Sequence, residues 1–237
     1  TLYERLEHNP ELEQIFQDAM HELSIQTNRL LVEALDLSRT KHLIDVGGGD
    51  GTNIIEFARK WPHLKATVFD FPGACLIAEQ NFEQLGLRTP ESVIPADAGI
   101  QRSLDSGFRR NDSALSHRLN TLPGNCFKDE FPKYADAFLF SHFFTIWSPE
   151  KDQFLLKKAY HSLPKGGRVI VFNMMQKDDE TGPLSAAVGS PYFLALATGE
   201  GMLYTWREYE TWMKEAGFST VNTIKLPLDH GVIVGVK

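Results

Sequence analysis

Residues 42–60, with the sequence HLIDVGGGDGTNIIEFARK, decide the fold class of this chain. A short apolar run leads into a cluster of glycines, and a helical pattern begins directly afterwards at Thr52. Glycines after a buried strand let the backbone approach a ligand closely, and a helix N-terminus supplies N–H donors. Gly47, Gly49 and Gly51 are therefore predicted to form a ligand-binding loop at the carboxyl end of the first strand.

The next apolar run, KATVFD, ends in a carboxylate at Asp70. Ligands in open α/β sheets bind at the carboxyl ends of the strands, and an acidic side chain there accepts hydrogen bonds from ribose hydroxyls. The glycine loop and Asp70 together predict a ligand that contains adenosine.

The spacing of the glycine loop distinguishes two cofactors. A dinucleotide fingerprint G-x-G-x-x-G counted from Gly47 or Gly49 needs a third glycine where this chain has Thr52 or Ile54. Asp50 inside the loop would repel a pyrophosphate and suits a cation instead. S-adenosylmethionine, with its sulfonium and ammonium groups, is such a cation, so the loop favours it over a nicotinamide cofactor.

Strands and helices alternate along most of the 237 residues. Further strands are indicated at ADAFLFS, RVIVFNMM, STVNTIKL and GVIVGVK, and helices at 10–35, 74–85, 149–163, 185–198 and 205–216. Such alternation predicts an α/β fold in which helices cover both faces of a mostly parallel sheet.

Charge and composition exclude several classes of partner. A formal net charge of −7 argues against nucleic acid or an anionic membrane as the main partner, because both bind basic surfaces. No apolar run reaches the ~20 residues of a membrane span, so a cytoplasmic protein is expected. Cys75 and Cys126 stand apart from each other and from histidine clusters, which predicts reduced thiols and no metal site.

Residues 88–118 interrupt the alternation with turn-forming residues and mixed charge. A structureless insert of this length is uncommon inside a compact domain. Its sequence, VIPADAGIQ followed by LDSGFRRND, resembles peptides encoded by interspersed palindromic repeats of bacterial genomes. A translated repeat in a surface loop is the expectation, and an evolved lid or partner-binding loop is the alternative.

Five segments in order carry a family resemblance: LIDVGGGDGTN, FDFPG, LPGNCFKDEFP, ADAFLFSHFFTIWS and LPKGGRVIVFN. Together they resemble the class I S-adenosylmethionine-dependent methyltransferases, specifically the small-molecule O-methyltransferases that include the caffeate and acetylserotonin enzymes. The resemblance covers residues 2–237 apart from the insert. It implies a Rossmann-like fold with a seven-stranded, mostly parallel sheet whose last strand is antiparallel.

The resemblance also implies the cofactor contacts. Glycines 47, 49 and 51 would line the methionine end, Asp70 would hold the ribose, and an asparagine would stand where the family has an aspartate beside the adenine. The implied set is Asp45, Gly47, Gly49, Gly51, Asp70, Phe71, Asn125, Cys126, Phe127, Ser141 and Trp147.

Members of the family carry an N-terminal dimerisation domain, and this chain begins near the linker that follows it. Residues 1–40 are therefore expected to be a helical linker and residues 41–237 the catalytic domain with its insert at about 88–118. A homodimer is possible but weakened if the N-terminal domain is absent.

The family's general base is a histidine two residues before a tryptophan, in the order His-Asp-Trp. Aligned on Trp147, the histidine is replaced by Thr145 and the aspartate by Ile146, and an expected acidic partner is replaced by Asn173. Methyl transfer by proximity, or with another base, is the resulting hypothesis. His142 and His230 are the candidate bases, because both are predicted to lie at the ligand side of the sheet.

The acceptor site is predicted from segments that line it in the family. The expected residues are Phe144, Thr145, Asn173, Met174, Tyr192, Met202 and Tyr204. Aromatic and methionine side chains suit a flat apolar acceptor. The sequence thus predicts methyl transfer to a small aromatic or polyketide-like hydroxyl acceptor, yielding S-adenosylhomocysteine. A non-catalytic remnant that binds the cofactor is the alternative.

Overall fold

The computed structural model describes residues 6, 8–87 and 118–237 of the chain. Seven strands are present there: β1 His42–Val46, β2 Lys65–Asp70, β3 Leu119–Pro123, β4 Ala137–Ser141, β5 Arg168–Met174, β6 Thr220–Lys225 and β7 His230–Val236. Six α-helices accompany them: α1 Pro10–Ala34, α2 Thr52–Lys60, α3 Pro72–Gln84, α4 Pro149–Ser162, α5 Leu184–Tyr192 and α6 Trp206–Ala216. A 3-10 turn at Phe144–Ile146 follows β4, and a π-helical turn at Phe193–Ala197 follows α5.

The strands form one sheet in the order β3-β2-β1-β4-β5-β7-β6. Strands β1 to β5 pair in parallel, whereas β7 is antiparallel to both β5 and β6. The predicted α/β class and the antiparallel last strand are confirmed. Because Met174 at the end of β5 pairs with His230 at the start of β7, the start of β7 lies at the same edge as the carboxyl ends of β1 to β5.

Alternation along the strands divides the core into two layers. In β4, Leu139 belongs to the layer with helices α1 to α3, whereas Phe138 and Phe140 belong to the layer with α4 and α6. All three side chains are fully buried. Strands buried on both faces read as continuous apolar runs, which is why these segments show little polar alternation.

Helix ends follow local capping chemistry. Asn9 caps α1 by accepting a hydrogen bond from the N–H of Leu12, and Pro10 occupies the first turn. Thr205 and Glu208 form a capping box at the start of α6, which ends at Gly217 in a left-handed conformation. These caps fix where α1 and α6 begin relative to the sheet.

Strand β3 is the element that sequence reasoning missed. Its five residues have only one buried side chain, Leu119, so the segment shows no strand pattern. The predicted insert falls on residues 88–117, which lie outside the described residues. Arg118, assigned to that insert, is part of the fold: its guanidinium donates to the carbonyls of Ala58, Trp61 and Leu64.

Within the described residues, none of the helices has the length and apolar character that crossing a membrane requires.

Candidate functional site

A cavity of about 620 Å³ lies at the carboxyl edge of the sheet. The ends of β1, β2, β3 and β4 form its floor, and helix α1 forms a wall. Adjacent parallel strands whose connections lie on opposite faces leave a crevice at this edge, which is where ligands bind in such sheets. The position of the cavity therefore follows from the strand order.

The glycine loop shapes the cavity between β1 and α2. Gly47, Gly49 and Gly51 all have positive φ angles, of 70°, 54° and 81°. The N–H of Gly47 donates to the carbonyl of Phe69 at 2.9 Å, which ties the loop to β2. A Cβ on Gly47 would overlap the ring of Phe143, so this turn requires glycine for both its conformation and its space.

Asp70 stands at the end of β2 beside the loop. Its carboxylate accepts hydrogen bonds from the N–H of Gly49 at 2.9 Å and the N–H of Phe71 at 2.7 Å. Burial raises the pKa of Asp70, and these two N–H donors oppose that rise. The two donors fix the carboxylate in one orientation at the cavity.

An aromatic wall closes the cavity next to β3 and β4. The rings of Phe127 and Trp147 meet edge to face with centroids 4.8 Å apart. The Lys151 ammonium lies 4.7 Å from the Trp147 ring and pairs with Glu200 at 2.7 Å. Asn125 begins this wall, and its side-chain oxygen accepts from the N–H of Phe127 at 2.9 Å.

Helix α1 supplies a wall that sequence reasoning did not assign to the site. Glu13, Phe16 and Met20 line the cavity at spacings of three and four residues, which places them on one helix face. His21 ties the helix to the glycine loop, because its Nδ1 lies 2.6 Å from Asp50 Oδ2 and 2.8 Å from Thr52 Oγ1. The only sequence signal for this wall is a helical spacing of three and four residues that joins Glu13 to Phe16 and Met20.

The family model for the O-methyltransferase domain matches residues 1–95 and 108–219. The chain belongs to the O-methyltransferase domain family. The predicted membership, which rested on five motifs spread along the chain, is confirmed.

Curated relatives of this O-methyltransferase-domain chain include two from Streptomyces. The L-tyrosine C(3)-methyltransferase of Streptomyces lavendulae is 39% identical over 240 residues, covering 100% of this chain and 58% of that protein. The 3-hydroxy-5-methyl-1-naphthoate 3-O-methyltransferase of Streptomyces sahachiroi is 30% identical over 224 residues, covering 94% and 56%. The chain thus spans under three fifths of the length of these two relatives.

Two solved methyltransferase structures are similar to this chain in fold. The S-adenosylmethionine-dependent methyltransferase SibL in its apo form matches with a TM-score of 0.77 and 35% identity, over 99% of this chain and 61% of that one. Human N-acetylserotonin methyltransferase in complex with SAM matches with a TM-score of 0.79 and 25% identity, over 100% and 59%.

Most of the predicted cofactor residues line the cavity. These are Gly47, Gly49, Asp70, Phe71, Asn125, Cys126, Phe127, Ser141 and Trp147. They come from four separate strand ends and the 3-10 turn after β4, so the sheet topology brings them together. Burial raises the pKa of the Cys126 thiol to about 12, which keeps it protonated and unreactive at the cavity wall.

Two of the predicted cofactor residues, Asp45 and Gly51, are not among the residues that line the cavity. Asp45 is fully buried behind the loop, where a Cβ on Gly48 would lie 2.9 Å from its Oδ2. Burial raises its pKa to about 7, against a hydrogen bond from the Asn53 side chain. Gly51 faces Phe82 and caps α2. Both residues shape the loop from behind.

The two candidate bases lie beside each other. The His142 ring lines the cavity, and its centroid is 5.2 Å from that of His230, which is 5% exposed and lies behind it. His142 has a positive φ of 51°, and its Nε2 lies 3.5 Å from Thr27 Oγ1. Burial and the neighbouring His230 lower the pKa of His142 to about 3, and burial also lowers that of His230.

Three predicted acceptor-site residues are buried in the core and do not line this cavity. Phe144 packs against Phe140 with centroids 4.5 Å apart. The Asn173 amide donates to the Tyr209 hydroxyl at 2.9 Å, and the Tyr204 hydroxyl donates to the carbonyl of Trp147 at 2.6 Å. None of these three side chains is more than 1% exposed.

The remaining predicted acceptor-site residues also lie away from the lining of this cavity. Thr145 is buried in the 3-10 turn, where its hydroxyl donates a long hydrogen bond of 3.5 Å to the carbonyl of His142. Tyr192 and Met202 are partly exposed, at 39% and 36%, and Met174 lies half-buried at the end of β5. Where the family has its histidine, this chain therefore has a turn-stabilising hydroxyl.

In the part of the chain that the structure describes, no group of three or more His, Cys, Asp and Glu side chains could hold a metal ion.

Proposed function

We propose that this chain forms the cofactor-binding and catalytic part of an S-adenosylmethionine-dependent methyltransferase that acts on a small phenolic acceptor. The observation that carries the proposal is the cavity where the glycine loop, Asp70 and the Phe127–Trp147 pair meet, in a member of the O-methyltransferase domain family. Two relatives support the acceptor class, because their names specify L-tyrosine and a hydroxynaphthoate.

The cavity fits a cationic adenosine ligand. Four carboxylates are among its lining residues: Glu13, Asp50, Asp70 and Glu200. Lys128 and Lys151 also line the cavity, and Lys151 pairs with Glu200. Asp50 and Asp70 at the glycine loop are therefore the carboxylates that would repel a pyrophosphate and attract a sulfonium. Gly47 and Gly48 are both packed too closely for a side chain, since added Cβ atoms would meet Phe143 and Asp45, so the loop backbone is held in place beside the cavity.

Each part of the cofactor has a matching group on this chain. Asp70, held by two N–H donors, accepts from the ribose hydroxyls. Phe71, Phe127 and Trp147 give the adenine an apolar and aromatic surface. Asn125 keeps one lone pair of its side-chain oxygen beyond the bond from Phe127, so it can accept from the adenine amino group.

When bound, S-adenosylmethionine supplies a methyl group on a positively charged sulfur. The acceptor's proton goes to the His142 imidazole, which its low pKa keeps neutral and able to accept at neutral pH. The same low pKa makes His142 a weak base, so most of the rate enhancement comes from holding the acceptor in line with the methyl group. His230 stands next to His142 as the second candidate for the proton.

The test is cofactor binding followed by product analysis. The chain is expected to bind S-adenosylhomocysteine in a calorimeter and to methylate at least one member of a panel of L-tyrosine, hydroxynaphthoates and simple phenols. Mass spectrometry and NMR of the product then distinguish methylation at oxygen from methylation at the ring carbon beside it. Binding without turnover on any acceptor would support the non-catalytic remnant, and absence of binding would refute both.

The base is tested with His142→Asn and His230→Asn. A base typically contributes about 10²–10⁴-fold to the rate, so loss of His142 should lower kcat and remove the pH dependence at acid pH while cofactor affinity is kept. If both variants retain full kcat, neither histidine accepts the proton and positioning alone accounts for the reaction.

A further inference from the structure

One lysine joins the loop after β3 to helix α4. The Lys158 ammonium on α4 donates hydrogen bonds to the carbonyl of Cys126, at 2.8 Å, and to the carbonyl of Asp129. The same ammonium lies 4.9 Å from the centre of the Phe131 ring, which is 2% exposed. In the described part of the chain no salt bridge includes Lys158, so its charge-assisted hydrogen bonds go to the loop backbone.

The segment 124–129, the Asn125 loop, is closed by its own hydrogen bonds. The N–H of Asn125 donates to Asp129 Oδ2 at 2.7 Å, and the N–H of Asp129 donates back to the Asn125 carbonyl at 2.8 Å. Among the described residues, the hydrogen bonds that attach this loop to other elements are one from the Gly124 N–H to the Asp70 carbonyl and the two from Lys158. The internal bonds therefore set the shape of the loop, and Lys158 sets where its far end lies.

The peptide unit between Cys126 and Phe127 is held at both of its ends. Lys158 donates to its carbonyl, and its N–H donates to Asn125 Oδ1 at 2.9 Å. In a planar trans peptide the C=O and N–H groups point in opposite directions, so fixing the carbonyl also fixes the direction of the N–H. The orientation of the Asn125 amide thus depends on an ammonium that binds the other side of the same peptide.

Three consecutive residues of the Asn125 loop line the cavity, namely Asn125, Cys126 and Phe127, whereas Lys158 is not among the lining residues. We infer that Lys158 is the positioning residue for the adenine end of the cofactor site, acting through the Cys126–Phe127 peptide on Asn125. This inference rests on the proposed function and deepens it, because it extends adenine recognition to a residue outside the cavity. Without the ammonium, the loop keeps its internal bonds and loses its attachment to α4, so ligand binding must itself order the loop.

The effect of Lys158 falls on cofactor binding rather than on the chemical step. The adenine lies at the opposite end of the cofactor from the sulfur that carries the methyl group, so a displaced loop weakens the ground state and the transition state equally. A change of this kind raises KM and leaves kcat unchanged. A lysine that served stability alone would lower the free energy of unfolding and leave cofactor affinity unchanged.

The first test is Lys158→Met, which keeps an unbranched side chain and removes the N–H donors. The dissociation constant of S-adenosylhomocysteine, measured by calorimetry, should rise about tenfold to a hundredfold. KM for S-adenosylmethionine should rise by a similar factor, with kcat at saturation and KM for the acceptor within about twofold of the wild type. Lys157→Met, at the exposed neighbouring position of the same helix, is the matched control and should change none of these values.

Lys158→Arg shows whether the N–H donors are what matters, and it does not depend on how well the methionine variant folds. A guanidinium has five N–H donors and can serve both carbonyls, so the affinity for S-adenosylhomocysteine should stay within about threefold of the wild type. A loss of about tenfold or more in folded Lys158→Arg, or an unchanged affinity in Lys158→Met, overturns the inference.

A double-mutant cycle tests the route through Asn125. Lys158→Met should weaken binding of S-adenosylhomocysteine less in an Asn125→Ala background than in the wild type, because no amide is left there to orient. Equal losses of affinity in the two backgrounds overturn the assignment.

The failure of this inference can be told apart from the failure of the proposed function. Wild type that binds S-adenosylhomocysteine, with a Lys158→Met variant that binds it equally tightly, overturns the positioning role and leaves the function intact. Wild type that does not bind S-adenosylhomocysteine overturns both. Calorimetry needs no turnover, so it decides the role of Lys158 for a non-catalytic remnant as well.

Discussion

Two regions at the carboxyl edge of the sheet differ in how their residues are held. The loop side consists of Gly47–Gly51 and Asp70, and the histidine side consists of His142, Asn173 and Tyr204. On the loop side, Gly47 and Gly49 adopt positive φ angles and Asp70 is fixed by two backbone N–H groups, so the backbone itself sets the geometry. On the histidine side, Asn173 and Tyr204 are fixed by contacts with distant elements. A binding surface built from backbone conformation is local in sequence, whereas one built from packing is not.

The largest expected effect tests the loop side. Gly47→Ala forces a left-handed conformation, at about 1–2 kcal/mol of folding free energy, and overlaps the Phe143 ring. A misplacement of about 1 Å costs on the order of a hundredfold in rate, so kcat/KM for methyl transfer should fall at least that much, and S-adenosylhomocysteine affinity measured by calorimetry should fall with it.

The matched control for that change is Gly166→Ala. Gly166 has a φ of 81°, but a Cβ there meets nothing within 4 Å. Thermal unfolding should report a similar conformational cost with unchanged affinity. Equal losses of affinity in the two variants would mean that general destabilisation, and not the Phe143 contact at the loop, lowers the affinity.

The second effect tests the histidine side through pH. Burial holds the pKa of His142 at about 3 in the folded state, below its ordinary value of 6.5. Between these values the unfolded chain binds a proton that the folded chain does not, so the free energy of unfolding falls as pH falls through this window, by about 1.4 kcal/mol per pH unit.

His142→Asn removes this contribution, and asparagine tolerates the positive φ at this position. Denaturant unfolding from pH 6.5 to 5 should show about 2 kcal/mol less acid destabilisation in the variant than in the wild type. Parallel curves for the two proteins would indicate that the imidazole is accessible to protons in the folded state.

A smaller expected effect shows whether Tyr204 belongs to the core or to the acceptor site. Tyr204→Phe removes the donor to the Trp147 carbonyl and should lower the free energy of unfolding by about 1 kcal/mol, with KM for the acceptor unchanged. Tyr192→Phe, at a partly exposed predicted acceptor-site tyrosine, should change stability by less than about 0.5 kcal/mol. A raised KM with full stability in Tyr204→Phe would return that residue to the acceptor site.

The smallest effect concerns the ion pair over the aromatic wall. Lys151 and Glu200 are both more than one third exposed, so Glu200→Gln should cost between about 0 and 1 kcal/mol of stability and less at high salt. Chemical denaturation at two salt concentrations measures this. A loss of cofactor affinity greater than about tenfold would show instead that Glu200 binds the ligand directly.

Sequence reasoning succeeded where one residue type answers a local requirement. A loop with several positive φ angles demands glycine, and a carboxylate that ends a parallel strand next to that loop lies at the same sheet edge, so the placement of Gly47, Gly49 and Asp70 at the cavity could be predicted. Strand β3 could not be predicted from the sequence. Only Leu119 of its five residues is buried, so the segment shows no apolar strand pattern. Missing β3 leaves the order of the other strands unchanged, because β3 is the edge strand and pairs only with β2.

The histidine side was harder to predict from the sequence, because the burial of its residues depends on partners far along the chain. Asn173 occupies a strand end that faces the site in the family, yet here its amide points to Tyr209 in the core. Thr145, in the position of the family's histidine, is turned inward by the 3-10 turn. The partner of Asn173 lies 36 residues along the chain, so nothing near Asn173 in the sequence encodes the direction of its amide.

The contact between His21 and Asp50 has a consequence for how this protein can be divided. A domain boundary at residue 40, drawn where the alternating pattern begins, would remove Glu13, Met20 and Asn28 and with them one side of the binding site. The smallest segment that keeps this cavity intact is therefore the sheet together with α1. A recombination event or an engineered fusion that exchanges everything before β1 would replace part of the ligand's own surroundings.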